Sequence, residues 1–113
     1  MKSCLPNILE RLETSDGVDY RLEVSQELLW FKGHFPGEPV LPGVVQVHWA
    51  IMFGASIGYD PATFKGLRRV KFKSIIQPGT VLHLELKKKE SGIGFTYTSD
   101  SGLHSQGTIE FGE

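Results

Sequence analysis

The sequence predicts an α+β fold in which an antiparallel sheet wraps around one long central helix. Three observations in the 113 residues predict it. Segments with strand periodicity flank a single apolar run. That run is too short to cross a bilayer and apolar on most of its circumference, as a buried helix is. A stiff loop of prolines and glycines leads into it.

The elements follow in order. From Ile8 to Val24 two short strands are expected around the turn Ser15-Asp16-Gly17. Val18, Tyr20, Leu22 and Val24 alternate with Asp19, Arg21 and Glu23, the period of a half-buried strand. From Phe31 to Gly43, three prolines and three glycines in thirteen residues exclude both helix and central strand. The segment from Val44 to Ile57 contains Val44, Val45, Val47, Trp49, Ala50, Ile51, Met52 and Phe53, and reads as the buried helix. Gly58 and Tyr59-Asp60-Pro61 end it.

Four strands are expected in the remainder. Val70 and Phe72 alternate with Arg69, Lys71 and Lys73, and Gln77-Pro78-Gly79 makes a turn. Leu82, Leu84 and Leu86 alternate with Val81, His83, Glu85 and Lys87. Two more strands, near Gly94–Ser99 and Leu103–Phe111, are joined through Asp100-Ser101-Gly102. Neither a repeat nor a linker interrupts the chain, so residues 1–113 are expected to form a single domain.

Charge and composition narrow the function. Twelve Lys and Arg against thirteen Asp and Glu give a net charge of −1, which argues against a nucleic-acid binder. Met1-Lys2-Ser3-Cys4-Leu5-Pro6 lacks the apolar stretch of a signal peptide, and no segment is apolar for the length of a membrane span. The single cysteine, Cys4, cannot form an internal disulfide, which fits a cytoplasmic location. One cysteine and four scattered histidines supply too few ligands for a structural metal site.

The loop and the start of the helix carry the informative residues: His34-Phe35-Pro36-Gly37-x-Pro39-Val40-x-Pro42-Gly43-Val44. This pattern resembles the signature of the 3-hydroxyacyl-(acyl carrier protein) dehydratases, which have the hotdog fold. A second stretch, Val70-Lys71-Phe72-Lys73-Ser74-Ile75-Ile76-Gln77-Pro78-Gly79-Thr80, is similar to the family's strand and Pro-Gly turn after the helix. The short chain and the run from Pro42 to Ala50 look most like the small dehydratase-like proteins of aryl-polyene-type lipid clusters.

The resemblance implies dehydration of 3-hydroxyacyl thioesters on acyl carrier protein to trans-2-enoyl thioesters, with no cofactor, in a homodimer or higher oligomer. It assigns His34 as the base and the Gly43 N–H as the donor to the substrate carbonyl. Histidine titrates near neutrality, as a base for a weakly acidic C2 proton must. Free N–H groups at a helix N-terminus suit a developing enolate, and glycine allows close approach. The family's helix acid, Asp or Glu, stands fourteen residues after the histidine, and that position here is His48. A protonated imidazole can donate a proton, so His48 is the candidate acid. The bland reading makes it a polar group of the core or of an interface, on the stripe Val44, His48, Ile51 and Ala55.

Other features have competing readings. Gly54, Ala55 and Gly58 either leave room for an acyl tunnel or permit close helix–sheet packing. Lys65, Arg68, Arg69, Lys71 and Lys73, with Lys87, Lys88 and Lys89, form either a solvated face or a docking surface for an acidic carrier protein. His83 and His104 are expected to be solvated. Two other functions suit the same fold, an acyl thioesterase and a non-catalytic acyl-binding subunit paired with a complete dehydratase.

Overall fold

The computed structural model describes residues 4–28 and 39–112. The elements follow the expected order: β1 (Asn7–Thr14), β2 (Gly17–Glu23), α1 (Gly43–Gly54), β3 (Phe64–Phe72), β4 (Val81–Lys88), β5 (Gly92–Ser99) and β6 (Gly102–Phe111). The strands form one antiparallel sheet in the order β1-β2-β4-β5-β6-β3. The helix interrupts the chain between β2 and β3, so β2 pairs with β4 and β3 is carried to the far edge, beside β6.

Alternation places the core on one face of the sheet. Val18 and Leu22 of β2, Leu82, Leu84 and Leu86 of β4, and Ile93 and Tyr97 of β5 are all fully buried. The direct cross-strand partners Val18–Leu86, Tyr20–Leu84 and Leu22–Leu82 hold the register. A one-residue slip would turn every one of these side chains to solvent. Against this face α1 lays Val45, Trp49, Ala50 and Phe53, all buried. The rings of Tyr20 and Phe53 meet with centroids 4.5 Å apart.

Gly54 settles the choice between tunnel and packing at its own position. A Cβ there would come within 2.7 Å of Ile93 Cδ1, so the glycine lets the last helical turn lie close on β5. A 3-10 turn over Ala55–Ile57 tightens the end, and Gly58 closes it at φ 99°, in the left-handed region that glycine occupies without penalty.

Two expectations require correction. The helix is not enclosed on all sides. Val44 is 76% exposed, His48 and Ala55 are exposed, and Ile51 and Met52 are only half-buried. One sheet covers one side of a helix, which leaves this stripe open in the single chain. The simple alternation expected around Val70 and Phe72 is also broken. The β3–β6 register shifts between Arg68 and Lys71, and Arg69 takes φ 54°. The bulge leaves Val70 half-buried against the core and Phe72 exposed.

Candidate active site

The end of the sheet nearest the start of α1 holds the candidate site. Pro42 is the N-cap, in extended geometry at φ −61° and ψ 147°, and Gly43 is the first helical residue. Proline suits a position where the chain must be pre-set to enter a helix. Among the described residues no side chain caps this terminus, and its first turn contains no acidic residue. The Pro42 carbonyl accepts from the N–H groups of Val45 and Gln46, at 3.1 and 3.2 Å. The N–H groups of Gly43 and Val44 precede any intrahelical acceptor, so they and the positive end of the helix dipole are available to a carbonyl or an enolate oxygen.

Three contacts fix the approach to this terminus. The Leu41 N–H donates to the Ile76 carbonyl at 2.8 Å. The Leu41 carbonyl accepts from Gln46 Nε2 at 3.1 Å. Phe72 lies over Gly43 so closely that a Cβ on the glycine would meet its Cζ at 2.7 Å. The described part of the first motif, Pro39–Val44, and the second stretch, Val70–Thr80, are thus brought side by side.

His48 stands on the open stripe of α1, one helical turn beyond Val44, with its side chain exposed rather than in the core. Its exposure in the single chain corrects the reading of His48 as a core group and leaves the interface reading open. His34 and the loop residues Phe31–Glu38 lie outside the described residues, so the geometry joining His34 to Gly43 and His48 is not described.

The remaining histidines divide. His83 is exposed on the outer face of the sheet, as expected, with Nε2 3.6 Å from Asp19 Oδ2. It borders a groove of about 430 Å³ with Glu10, Asp19, Arg21 and Asp100. Alternation puts Asp19, Arg21 and His83 on the face turned away from α1 and from Gly43. His104 was expected to be solvated and is 3% exposed. Its Nε2 lies 2.6 Å from Ser99 Oγ and its Nδ1 3.1 Å from Ser74 Oγ. The ring clasps the β5–β6 hairpin to the segment leaving β3. Ser74 lies 30 positions before His104, and the sequence gives no signal of that contact, because strand pairing brings the two together.

The basic residues Lys65, Arg68, Arg69, Lys71 and Lys73 are exposed along β3 and its exit. Arg68 meets Glu110 at 3.3 Å, a surface pair worth little to stability. Sequence reasoning missed the buried polar group behind the site. Ser105 Oγ donates to Gln46 Oε1 at 2.7 Å, and the Tyr97 hydroxyl donates to the Gln46 carbonyl at 2.7 Å. A glutamine within an apolar helical run was the available signal.

A single antiparallel sheet on one helix, with a Pro-Gly helix entrance under an aromatic ring, defines a hotdog protein of dehydratase type. Comparison with known proteins agrees. Residues 10–108 match the ApeI-like family model, described as ApeI dehydratase. The chain is 34% identical to the 3-hydroxyacyl-(acyl-carrier-protein) dehydratase FabZ of Natranaerobius thermophilus over 116 aligned positions, covering 91% of this chain and 81% of that protein. It superposes with a TM-score of 0.86 on a chain of the dehydratase heterocomplex ApeI:P from Xenorhabdus doucetiae, at 31% identity, covering 96% of this chain and 98% of that one. A protein from Erwinia carotovora subsp. atroseptica gives a TM-score of 0.81 at 30% identity, with 96% of each chain covered. The chain belongs to the ApeI-like dehydratases, within the FabZ-like hydroxyacyl-(acyl carrier protein) dehydratase family. Among the described residues no helix is long and apolar enough to cross a membrane.

Proposed function

We propose that this chain dehydrates 3-hydroxyacyl thioesters carried on acyl carrier protein, giving trans-2-enoyl thioesters and water. The observation that carries the reading is the Pro42-Gly43 helix terminus, whose first N–H groups have no acceptor among the described residues and which leads into the exposed Val44–His48 stripe. His34 takes the C2 proton. The electron pair moves onto the thioester carbonyl, and the Gly43 N–H stabilises the resulting enolate oxygen. The pair then returns to form the C2–C3 double bond as the C3–O bond breaks. Protonated His48 supplies the proton with which the hydroxyl leaves as water. His34 ends protonated and His48 neutral, and exchange with solvent restores both.

A second chain completes the site in this reading. The open stripe Val44, His48, Ile51, Met52 and Ala55 is a face that one sheet leaves uncovered, and a second hotdog subunit suits it. The occupant in the leading reading is a second copy of this chain. The basic residues along β3 would steer the acidic carrier protein toward the pair.

A second reading is supported by one specific observation. The structural relative from Xenorhabdus doucetiae comes from a heterocomplex, and here a histidine holds the position of the family's helix carboxylate. In that reading the chain is the acyl-binding partner of a complete dehydratase.

The deciding experiment is turnover of carrier-bound 3-hydroxyacyl thioesters by the purified chain, followed by enoyl absorbance or mass, beside His34→Ala. Turnover that His34→Ala abolishes is the expected result. No turnover alone, with turnover on adding a second hotdog subunit and no loss in His34→Ala, would replace the leading reading with the second. The thioesterase reading predicts release of free acid instead of an enoyl product.

A further inference from the structure

Gln46 is a side-chain amide set in the apolar face of α1, 4% exposed. Burying an amide without partners is costly, and a leucine of similar size would incur no such cost. Every polar end of this glutamine is instead used. Nε2 donates to the Leu41 carbonyl, Oε1 accepts from Ser105 Oγ, and the backbone carbonyl accepts from the Tyr97 hydroxyl. Ser105 and Tyr97 are themselves fully buried. The amide therefore links a rigid part of the sheet, on β5 and β6, to the peptide just before the helix.

The position of that peptide matters. Between the Leu41 carbonyl and the Gly43 N–H stands only Pro42, whose φ of −61° is locked by its ring. Once the Leu41 peptide plane is held, only ψ of Pro42 lies between it and the Gly43 N–H, whose own peptide plane is held from the other side by the Val45 and Gln46 N–H groups on the Pro42 carbonyl. Gln46 holds that plane by its carbonyl, while Ile76 holds the other side of Leu41 by its N–H.

We propose that Gln46 is a positioning residue, which aims the Gly43 N–H at the substrate carbonyl by fixing the Leu41 peptide; the proposal rests on the dehydratase reading above. It touches no substrate. Its contribution is to the geometry of a donor that is effective only when pre-aligned.

Two variants and one substrate-free measurement test it. The double variant Gln46→Leu with Ser105→Ala removes both polar partners at nearly constant volume, so the core stays packed and no hydroxyl is stranded. The expected result is a kcat lower by about a hundredfold with KM roughly unchanged and thermal stability kept. In Gln46→Glu the carboxylate still accepts from Ser105 but cannot donate to Leu41. Protonation restores the donor, so activity relative to wild type should rise as pH falls through the carboxyl's titration. Among the described residues hydrogen-bonded to Gln46, only the Tyr97 phenol titrates. Burial pushes it upward, so it stays protonated across that acid range. A kcat unchanged in the double variant, or a Gln46→Glu ratio flat with pH, overturns the proposal. If the double variant does not fold, the pH ratio decides alone. If the wild type itself shows no turnover, the dehydratase reading falls, and the amide resonance of Gly43 decides the positioning claim. A shift and faster hydrogen exchange in Gln46→Glu at neutral pH would support it, and an unmoved resonance would end it.

Discussion

Phe72 covers Gly43 so closely that a methyl group on the glycine would come within 2.7 Å of the ring's Cζ and 2.8 Å of its Cε1. The relationship joins the first residue of α1 to the last of β3, 29 positions on, and it sets an aromatic ring against the helix entrance. Phe72 is 53% exposed, so its ring has room to swing aside.

Gly43→Ala should therefore cost less than about 1 kcal/mol of stability, because the clash is with the far end of a side chain that can move. Turnover should fall by a larger factor, since the new methyl crowds the place where a carbonyl approaches the N–H. Adding Phe72→Ala should relieve the packing but leave turnover low. Denaturant midpoints and steady-state rates on both variants separate the two effects.

His48 is exposed in the single chain, so His48→Ala should change the stability of the isolated chain by no more than about 0.5 kcal/mol. The proposed mechanism makes it the acid, and on that mechanism its loss should reduce kcat by about 10²–10⁴. Equal turnover in wild type and variant would remove His48 from the mechanism and leave it as an interface residue.

His104 should show the opposite pattern. It is buried between Ser99 and Ser74, so His104→Ala leaves a cavity and removes the ring's hydrogen bonds to both serines. A loss of about 2 kcal/mol is expected in chemical denaturation. A solvated histidine would give a change near zero.

Tyr97 predicts an alkaline limit to stability. Burial holds its phenol well above the ordinary tyrosine value of 10.0, so above that pH the unfolded chain releases a proton that the folded chain retains. The contribution is fully present below pH 10 and is lost as pH rises toward the folded value, at about 1.4 kcal/mol per pH unit. Tyr97→Phe should be less stable at neutral pH by about 1 kcal/mol, the hydroxyl's bond to Gln46, yet lose less on going to high pH. Parallel melting curves for the two proteins across the alkaline range would refute this.

Much of the fold was legible because its period is local. Leu82, Leu84 and Leu86 alternate with charged and polar neighbours, and a strand can bury such a set only on one face. Gly58, Gly79 and Gly102 sit at turns with positive φ, where glycine is the residue that chirality favours. The Pro42-Gly43 entrance was legible for the same reason, since proline and glycine act on their own torsions. The bulge at Arg69 was not legible, because nothing in a run of basic residues marks a change of register.

By itself, then, the sequence determined the order of elements, the core face of each central strand, the helix entrance and the family. All of these rest on interactions within a few residues or on a dense local motif. The tertiary structure alone decided that Gln46 bonds Ser105, that His104 is clasped by Ser74 and Ser99, and that Phe72 caps Gly43. It also decided that the stripe through His48 is open rather than buried. The reason is that strand order in this sheet departs from chain order. Once β3 crosses to pair with β6, residues far apart in sequence share one hydrogen-bonded neighbourhood, and one sheet leaves the other side of the helix uncovered.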